Sequence, residues 1–124
     1  MKALEKQVGG NYYKIMPIQP YELFLANNVP HSKAAIIRRI IRYDQPGGQG
    51  MKDLAKIIHE TELIEELSGA RSPILLYNFI TVNNIPPAKA EIIERIYNYD
   101  LPAGKGFDDL SKIRQIVNQL KGRL

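Results

Sequence analysis

The chain has 124 residues, of which 44% are hydrophobic and 24% are charged, and its formal net charge at pH 7 is +4. A chain of this length can form one compact domain, and this mild basicity is below that of a dedicated DNA-binding surface. With no cysteine and only two histidines, disulfides, thiolate metal sites and a histidine-rich zinc site are not expected. The apolar runs are too short to span a bilayer and no signal-type segment opens the chain, which predicts a soluble, intracellular protein.

An internal repeat with an offset of 56 residues is the dominant pattern of the sequence. Residues 17–64 align without a gap with residues 73–120, and 21 of these 48 pairs are identical. Two copies are too few for a solenoid, in which about three stacked units are usual. We therefore predict an internal pseudo-dimer that makes one compact unit. Its parts are an N-terminal arm (1–16), a first repeat (17–67), a junction (68–72) and a second repeat (73–124).

The N-terminal arm ends in Gly9-Gly10-Asn11-Tyr12-Tyr13-Lys14, where the glycines and Asn favour a turn and the tyrosines favour an extended segment. The first helix is predicted over 21–26, with Pro20 at its first position and Asn27-Asn28 at its end. Its counterpart in the second repeat is predicted over 76–82, ended by Asn83-Asn84.

The second predicted helix runs from Ser32 to Tyr43 and carries an apolar stripe, with Arg38 and Arg42 beside it at a spacing of four. The members of this stripe are Ile36, Ile37, Ile40 and Ile41. Loops over 44–50 and 100–106 follow in the two repeats, and both keep glycines at 48/104 and 50/106, which suggests backbone angles that a Cβ would resist. Third helices are predicted over 51–67 and 107–120. The class is therefore all-α, with six helices in two sets of three.

Five motifs follow one another along the first repeat and the arm before it: Val8-Gly9-Gly10-Asn11-Tyr12-Tyr13-Lys14, Ile18-Gln19-Pro20, Ala26-Asn27-Asn28, Ile36-Ile37-Arg38 with Arg42, and Asp53-Leu54-Ala55-Lys56. This ordered set resembles the small phage-encoded SaV-like family, which includes a nucleotide kinase. The first repeat matches from residue 8 to about 64, and the second matches only from about 73. The family's arm histidine falls on Tyr12 and its helical lysine falls on Arg38, so anion binding is better supported than catalysis.

The resemblance implies a nucleotide-binding protein of phage nucleotide metabolism, working in the host cytoplasm, with a kinase-like activity left open. The catalytic residues stay unknown, no metal site is expected, and the one cofactor left open is Mg²⁺ for a nucleotide-processing reaction. The expected partner is a small nucleotide, and the chain is expected to be a monomer or a homodimer away from membranes. The residues expected to bind the ligand are Gly10, Tyr12, Tyr13, Arg38, Arg42, Asp53 and Lys56.

Other interpretations of the same residues stay open. The chain fits a non-enzymatic phage protein that binds a host protein or sequesters a nucleotide signal. Binding of nucleic acid through a basic surface is a third interpretation, and it predicts a steep salt dependence. This surface comprises Arg38, Arg39, Arg42, Lys52 and Lys56. Residues identical in both repeats, among them Asp53/Asp109 and Arg39/Arg95, are also typical of caps, loop anchors and pairs between helices.

Overall fold

The computed structural model describes Ala3 and residues 13–68 and 73–124. These residues form six α-helices and no strand, so the predicted all-α class is confirmed. The helices are α1 (Pro20–Asn27), α2 (His31–Arg42), α3 (Met51–Leu67), α4 (Leu76–Val82), α5 (Pro87–Asn98) and α6 (Phe107–Lys121). For the five helices whose bounds are predicted above, each end lies within one residue of the observed end.

The chain divides into two compact units, Met1–Arg71 and Ser72–Leu124, each with three helices. The division falls inside the predicted junction, at residues 68–72. In the first unit α2 packs against α3 and α1 contacts α2, and in the second unit α5 packs against α6. The pseudo-dimeric packing of the two repeats stays a prediction.

The ends of α1 and α4 follow the polar residues around them. The backbone N–H of Gln19 donates to the Glu22 carboxylate at 3.1 Å, which fixes the start of α1. Asn28 adopts the left-handed conformation with φ 51°, and its N–H bonds to the carbonyl of Phe24. Asn84, the counterpart of Asn28, has φ 52°. Asparagine tolerates this conformation better than most residues, which explains the asparagine at 28 and at 84, the second member of each Asn-Asn pair.

Two glycines of each interhelical loop are required for different physical reasons. Gly50 and Gly106 have φ 53° and 60°, so the predicted unusual backbone angles are observed there. A Cβ on Gly48 would lie 1.8 Å from the carbonyl oxygen of Arg42, and a Cβ on Gly104 would lie 1.7 Å from that of Asn98. At 48 and 104 the constraint is therefore a close approach to the end of the preceding helix, and the prediction of unusual angles was wrong for this pair.

Small residues occupy most of the buried apolar positions. Among the described residues, the buried apolar side chains are Pro20, Ala34, Ala35 and Ile116. The predicted isoleucine stripe of α2 is only half-buried, and Ile40 is 51% exposed. Other large apolar side chains with more than half their surface exposed include Ile15, Ile18, Tyr21, Leu25, Met51 and Ile58 in the first unit, and Ile74, Leu75, Tyr77, Val82 and Phe107 in the second. Within each unit, the three helices therefore leave much apolar surface uncovered.

None of the helices in the described part of the chain has both the length and the apolar character needed to cross a membrane.

Candidate functional site

A buried carboxylate joins the second and third helices of the first unit. Asp53, in the first turn of α3, has 0% of its surface exposed. Arg42 at the end of α2 donates through Nε to both carboxylate oxygens at 3.2 Å, and through Nη2 to Oδ1 at 2.9 Å. The backbone N–H of Gln49 donates to Oδ2 at 2.9 Å. Asp53 therefore ties the loop over 44–50 to both helices that it connects.

These hydrogen bonds keep Asp53 ionised at neutral pH. Donation from the Arg42 side chain holds the pKa of Asp53 below its ordinary value of 3.8, although burial acts in the opposite direction. The N–H of Gln49 and the positive charge of Arg39 add to the lowering of this pKa. A carboxylate whose lone pairs accept this many donors is a structural anion and a poor proton acceptor.

Arg39 connects two carboxylates on α3. Its Nε lies 3.9 Å from Oδ1 of Asp53, and its Nη1 donates to Oε1 of Glu60, two turns further along α3. Two atoms of this cluster, Nε of Arg39 and Oε2 of Glu60, are buried and have no hydrogen-bond partner among the described residues. The cluster therefore has one buried acceptor that is not satisfied.

The second unit holds its equivalent aspartate with fewer donors. Nη1 of Arg95 donates to Oδ1 of Asp109 at 2.9 Å, and the N–H of Lys105 donates to Oδ2 at 2.7 Å. The Lys105 N–H contributes most to lowering the pKa of Asp109, and Arg95 adds to it. Asn98 stands at the position of Arg42 and donates to the carbonyl of Glu94 on its own helix. The hydrogen bond from the loop N–H to the aspartate is thus present in both units. The arginine that donates through both Nε and Nη2 to the aspartate is Arg42 of the first unit, and the second unit has Asn98 in its place.

The other carboxylate partner of the shared arginine lies on a different helix in each unit. Arg95 binds Glu91, four residues earlier on α5, at 2.9–3.0 Å. Glu91 aligns with the buried Ala35 of α2, and the buried Ile116 of α6 aligns with Glu60 of α3. The repeats therefore differ at both of these positions, and in each repeat the shared arginine still lies next to two carboxylates. Sequence analysis missed Glu60 because the alignment shows two separate substitutions, and only the contacts connect them.

The structure brings two predicted ligand-binding residues of the first repeat together. The hydroxyl of Tyr13 donates a long hydrogen bond, 3.5 Å, to the backbone carbonyl of Arg38. The Arg38 side chain is half-buried and forms no ion pair with any residue in the described ranges. Gly10 and Tyr12 lie outside the described residues. The predicted extended arm lies largely there too, and its described end forms a turn in which the N–H of Met16 bonds to the carbonyl of Tyr13 at 3.2 Å.

The remaining predicted site residues surround the buried carboxylate. Arg42 and Asp53 bind each other, so in this structure both contribute to the junction between the helices. Lys56 is half-buried, three residues after Asp53 and hence on the same side of α3. Because α2 and α3 form a helical hairpin, Arg38, one turn before Arg42, and Lys56, about one turn after Asp53, lie at similar heights along the helix axes. Arg38 and Lys56 are the predicted ligand-binding cations that form no ion pair with a carboxylate of the described residues.

A groove also lies beside this cluster in the first unit. It has a volume of about 490 Å³ and is lined by the first turn of α2, at His31 and Ser32, and by α3 from Glu60 to its end at Leu67. Sequence analysis did not identify it. In the described part of the chain, no group of three or more His, Asp or Glu side chains is placed to hold a metal ion.

No protein-family profile, curated protein or solved structure matches the chain.

Proposed function

We propose that the chain is a phage-encoded nucleotide-binding protein of the SaV-like type, with its phosphate site on the first repeat. The observation that carries the proposal is the half-buried Arg38, which has no carboxylate partner in the described part of the chain and lies beside Tyr13. A guanidinium presents a planar set of N–H donors that matches phosphate oxygens. Holding such a cation partly out of water is costly without an anion, and the nucleotide supplies that anion.

The roles within the predicted site differ. Arg38 and Lys56 contact the phosphate, and the hydrogen bond from the Tyr13 hydroxyl to the backbone carbonyl of Arg38 holds this tyrosine beside the second helix. Arg42 and Asp53 position α2 against α3, since their charges are already paired with each other. The second repeat has Glu94 and Asn98 in place of Arg38 and Arg42, so the site is confined to the first repeat. We keep phosphoryl transfer as a further possibility for this site, to be assayed on any nucleotide that binds.

The paired arginines disfavour the nucleic-acid interpretation. Arg39 and Arg42 each bind a carboxylate, so the predicted basic surface keeps only Arg38, Lys52 and Lys56 as cations without a described ion pair. Strong binding to a phosphate backbone uses several unpaired cations, each of which contributes to the salt dependence. A single small anion needs fewer, which agrees better with this surface.

The experiment is a thermal-shift and calorimetric titration of the full chain with nucleoside mono-, di- and triphosphates. A ligand at 100 times its Kd stabilises the native state by about 2.7 kcal/mol. The Arg38→Glu variant copies the second repeat and is expected to lose this shift. The matched control Arg114→Glu changes an exposed arginine of the second unit and should keep it. The proposal fails if no nucleotide shifts the parent, or if Arg38→Glu binds as tightly as the parent.

We also propose that the two repeats pack as an internal pseudo-dimer. The support is the apolar surface that each unit leaves exposed, including Ile40 on α2 and its counterpart Ile96 on α5. If both are covered by the other repeat, Ile40→Lys and Ile96→Lys should each lower the free energy of unfolding by about 2 kcal/mol. Because the contact is intramolecular, the midpoint of unfolding should not depend on protein concentration. Changes within about 0.5 kcal/mol would show that these faces stay in water.

A further inference from the structure

The last two turns of α3 form an exposed apolar wall of the groove described above. The groove has a volume of about 490 Å³, and Leu63, Ile64 and Leu67 line it, each with between 36% and 48% of its surface exposed. Leu63 and Ile64 precede Leu67 by four and three residues, so all three share one face of the helix. Its opposite side is the start of α2, at His31 and Ser32. An exposed apolar groove is the kind of surface on which an amphipathic helix packs.

Carboxylates without a cationic partner surround this wall. The segment from His59 to Ser68 contains four glutamates and neither lysine nor arginine. Glu62, Glu65 and Glu66 are exposed and form no ion pair with any described residue. They lie near the C-terminal end of α3, where the helix dipole favours cations, yet the last turn has no basic residue. A partner that brings positive charge would therefore stabilise this end of the helix.

The aligned part of the second repeat has the opposite charge. Residues 56–68 contain one lysine and four glutamates, for a net side-chain charge of −3, whereas residues 112–124 contain four cations and no carboxylate, for +4. None of these four cations forms an ion pair in the described part of the chain. They are all exposed, and they are Lys112, Arg114, Lys121 and Arg123. The surface of α6 thus supplies the charge that the end of α3 lacks.

Basic and apolar side chains alternate along one exposed face of α6. Arg114, Val117 and Lys121 follow one another at spacings of three and four residues. Leu124 continues this row in the turn after the helix, where its N–H donates to the carbonyl of Lys121 at 3.2 Å. Acidic and apolar side chains lie side by side in the same way along the end of α3. The two surfaces are therefore complementary in charge and both offer apolar contacts.

We propose that α6 of a second copy of the chain packs along the groove and the acidic end of α3. Val117 and Leu124 of one copy cover the apolar wall of the other, and the neighbouring cations pair with its glutamates. Each copy supplies one α3 and one α6, so a two-fold axis forms both contacts at once and closes the assembly as a dimer. The packing proposed above for the two repeats uses Ile40 and Ile96 on other helices, and these surfaces stay available to a second copy.

This dimer should be weak, because its contacts lie on exposed surfaces. Ion pairs on a surface are screened by salt, and two helix faces make a small interface. We expect a Kd of about 10–100 µM at about 50 mM salt, and a Kd at least about threefold higher at about 500 mM salt. Unfolding followed at about 1 µM concerns the monomer, so the independence from concentration expected for the packing of the repeats is unaffected.

The test is sedimentation velocity of the full chain at about 5–500 µM. Two variants each reverse the charge of one exposed surface: Glu62→Lys/Glu65→Lys/Glu66→Lys on α3, and Arg114→Glu/Lys121→Glu/Arg123→Glu on α6. Each variant alone places like charges against each other, so its self-association should weaken by about tenfold or more. An equimolar mixture of the two should dimerise within about threefold of the parent's Kd, because both contacts again join opposite charges.

Two further variants separate these contacts from effects of net charge and misfolding. Asp44→Lys/Glu94→Lys/Asp100→Lys adds the same charge as the α3 variant at other exposed positions, and it should weaken the dimer far less. Leu67→Arg copies the second repeat and is a single change within the groove. It should weaken the dimer by about tenfold while the circular dichroism spectrum stays that of the parent.

Three results would overturn this proposal. The first is a parent that stays monomeric up to about 500 µM, and the second is a dimer whose Kd the charge reversals leave unchanged. The third is a mixture of the two reversal variants that stays monomeric, since the two surfaces then do not meet between copies and another partner or the same chain covers the groove. None of these results depends on nucleotide binding, so either proposal can fail alone.

Discussion

Removing the buried carboxylate of Asp53 should cost more stability than any other single change to a charge in the first unit. The Asp53→Ala variant leaves Arg42 without its anion and the N–H of Gln49 without its acceptor. Breaking a buried ion pair from one side costs about 3–5 kcal/mol. Arg42 is 28% exposed and can take up water, so we expect a loss of about 3 kcal/mol. For a chain of this length, that loss lowers the midpoint of thermal unfolding by about 10 °C.

The measurement is urea and thermal unfolding followed by circular dichroism at 222 nm. The m value, which is the slope of the free energy of unfolding against urea concentration, should be the same for the variant and the parent. The control is Asp44→Ala, which changes an exposed loop aspartate whose carboxylate accepts a hydrogen bond from the neighbouring Gln45 side chain at 3.3 Å. It should change the free energy of unfolding by no more than about 0.5 kcal/mol. A loss below about 1 kcal/mol for Asp53→Ala, or an equal loss for the control, would refute the role given to this carboxylate.

Three further predictions concern the loops and the pH dependence. Gly48→Ala should destabilise the chain by at least about 1–3 kcal/mol, because its Cβ would meet the Arg42 carbonyl oxygen at 1.8 Å; Gly122→Ala, with its nearest contact at 3.4 Å, should be near neutral in the same urea titration. Asn28→Val should cost about 1–2 kcal/mol at φ 51°, whereas Asn28→Gly should be close to the parent. Hydrogen bonds from Arg42 lower the pKa of folded Asp53 below 3.8, so its unfolded state takes up a proton first as the pH falls. The stability from Asp53 should therefore be constant at pH 5–7 and be lost below about pH 4, and Asp53→Asn should lack this part of the acid dependence.

Local patterns were sufficient to predict the helices. Proline at the start of α1 and Asn-Asn at its end mark the limits of one helix, and the 56-residue offset gives the same limits again in the second repeat. The loop glycines were identified as special for the same reason, since they are retained in both repeats. Gly48 shows the limit of this reasoning: a sequence reveals that a Cβ is avoided, but not whether an angle or a neighbouring carbonyl is the cause.

The core and the site were harder to predict because they depend on pairs of residues distant in sequence. Periodicity favoured the isoleucines of α2 as its core, yet the close contact of helices buries Ala34 and Ala35 instead. Arg42 was predicted to bind phosphate from its position and charge, and the contact with Asp53, eleven residues away, became visible only in the folded hairpin. The sequence does not single out Glu60, because nothing local distinguishes it from Glu62.

The different positions of Glu60 and Glu91 in the two repeats also affect whether helices of different repeats can pair incorrectly during folding. Repeats this similar in sequence are prone to exchange equivalent helices while they fold. If α2 paired with α6, Arg39 would meet Ile116 in place of Glu60; if α5 paired with α3, Arg95 would gain Glu60 in addition to Glu91. One wrong pairing lacks an anion and the other has one too many. These differences in charge therefore favour the pairing of each helix with its partner in the same repeat over its pairing with the equivalent helix of the other repeat.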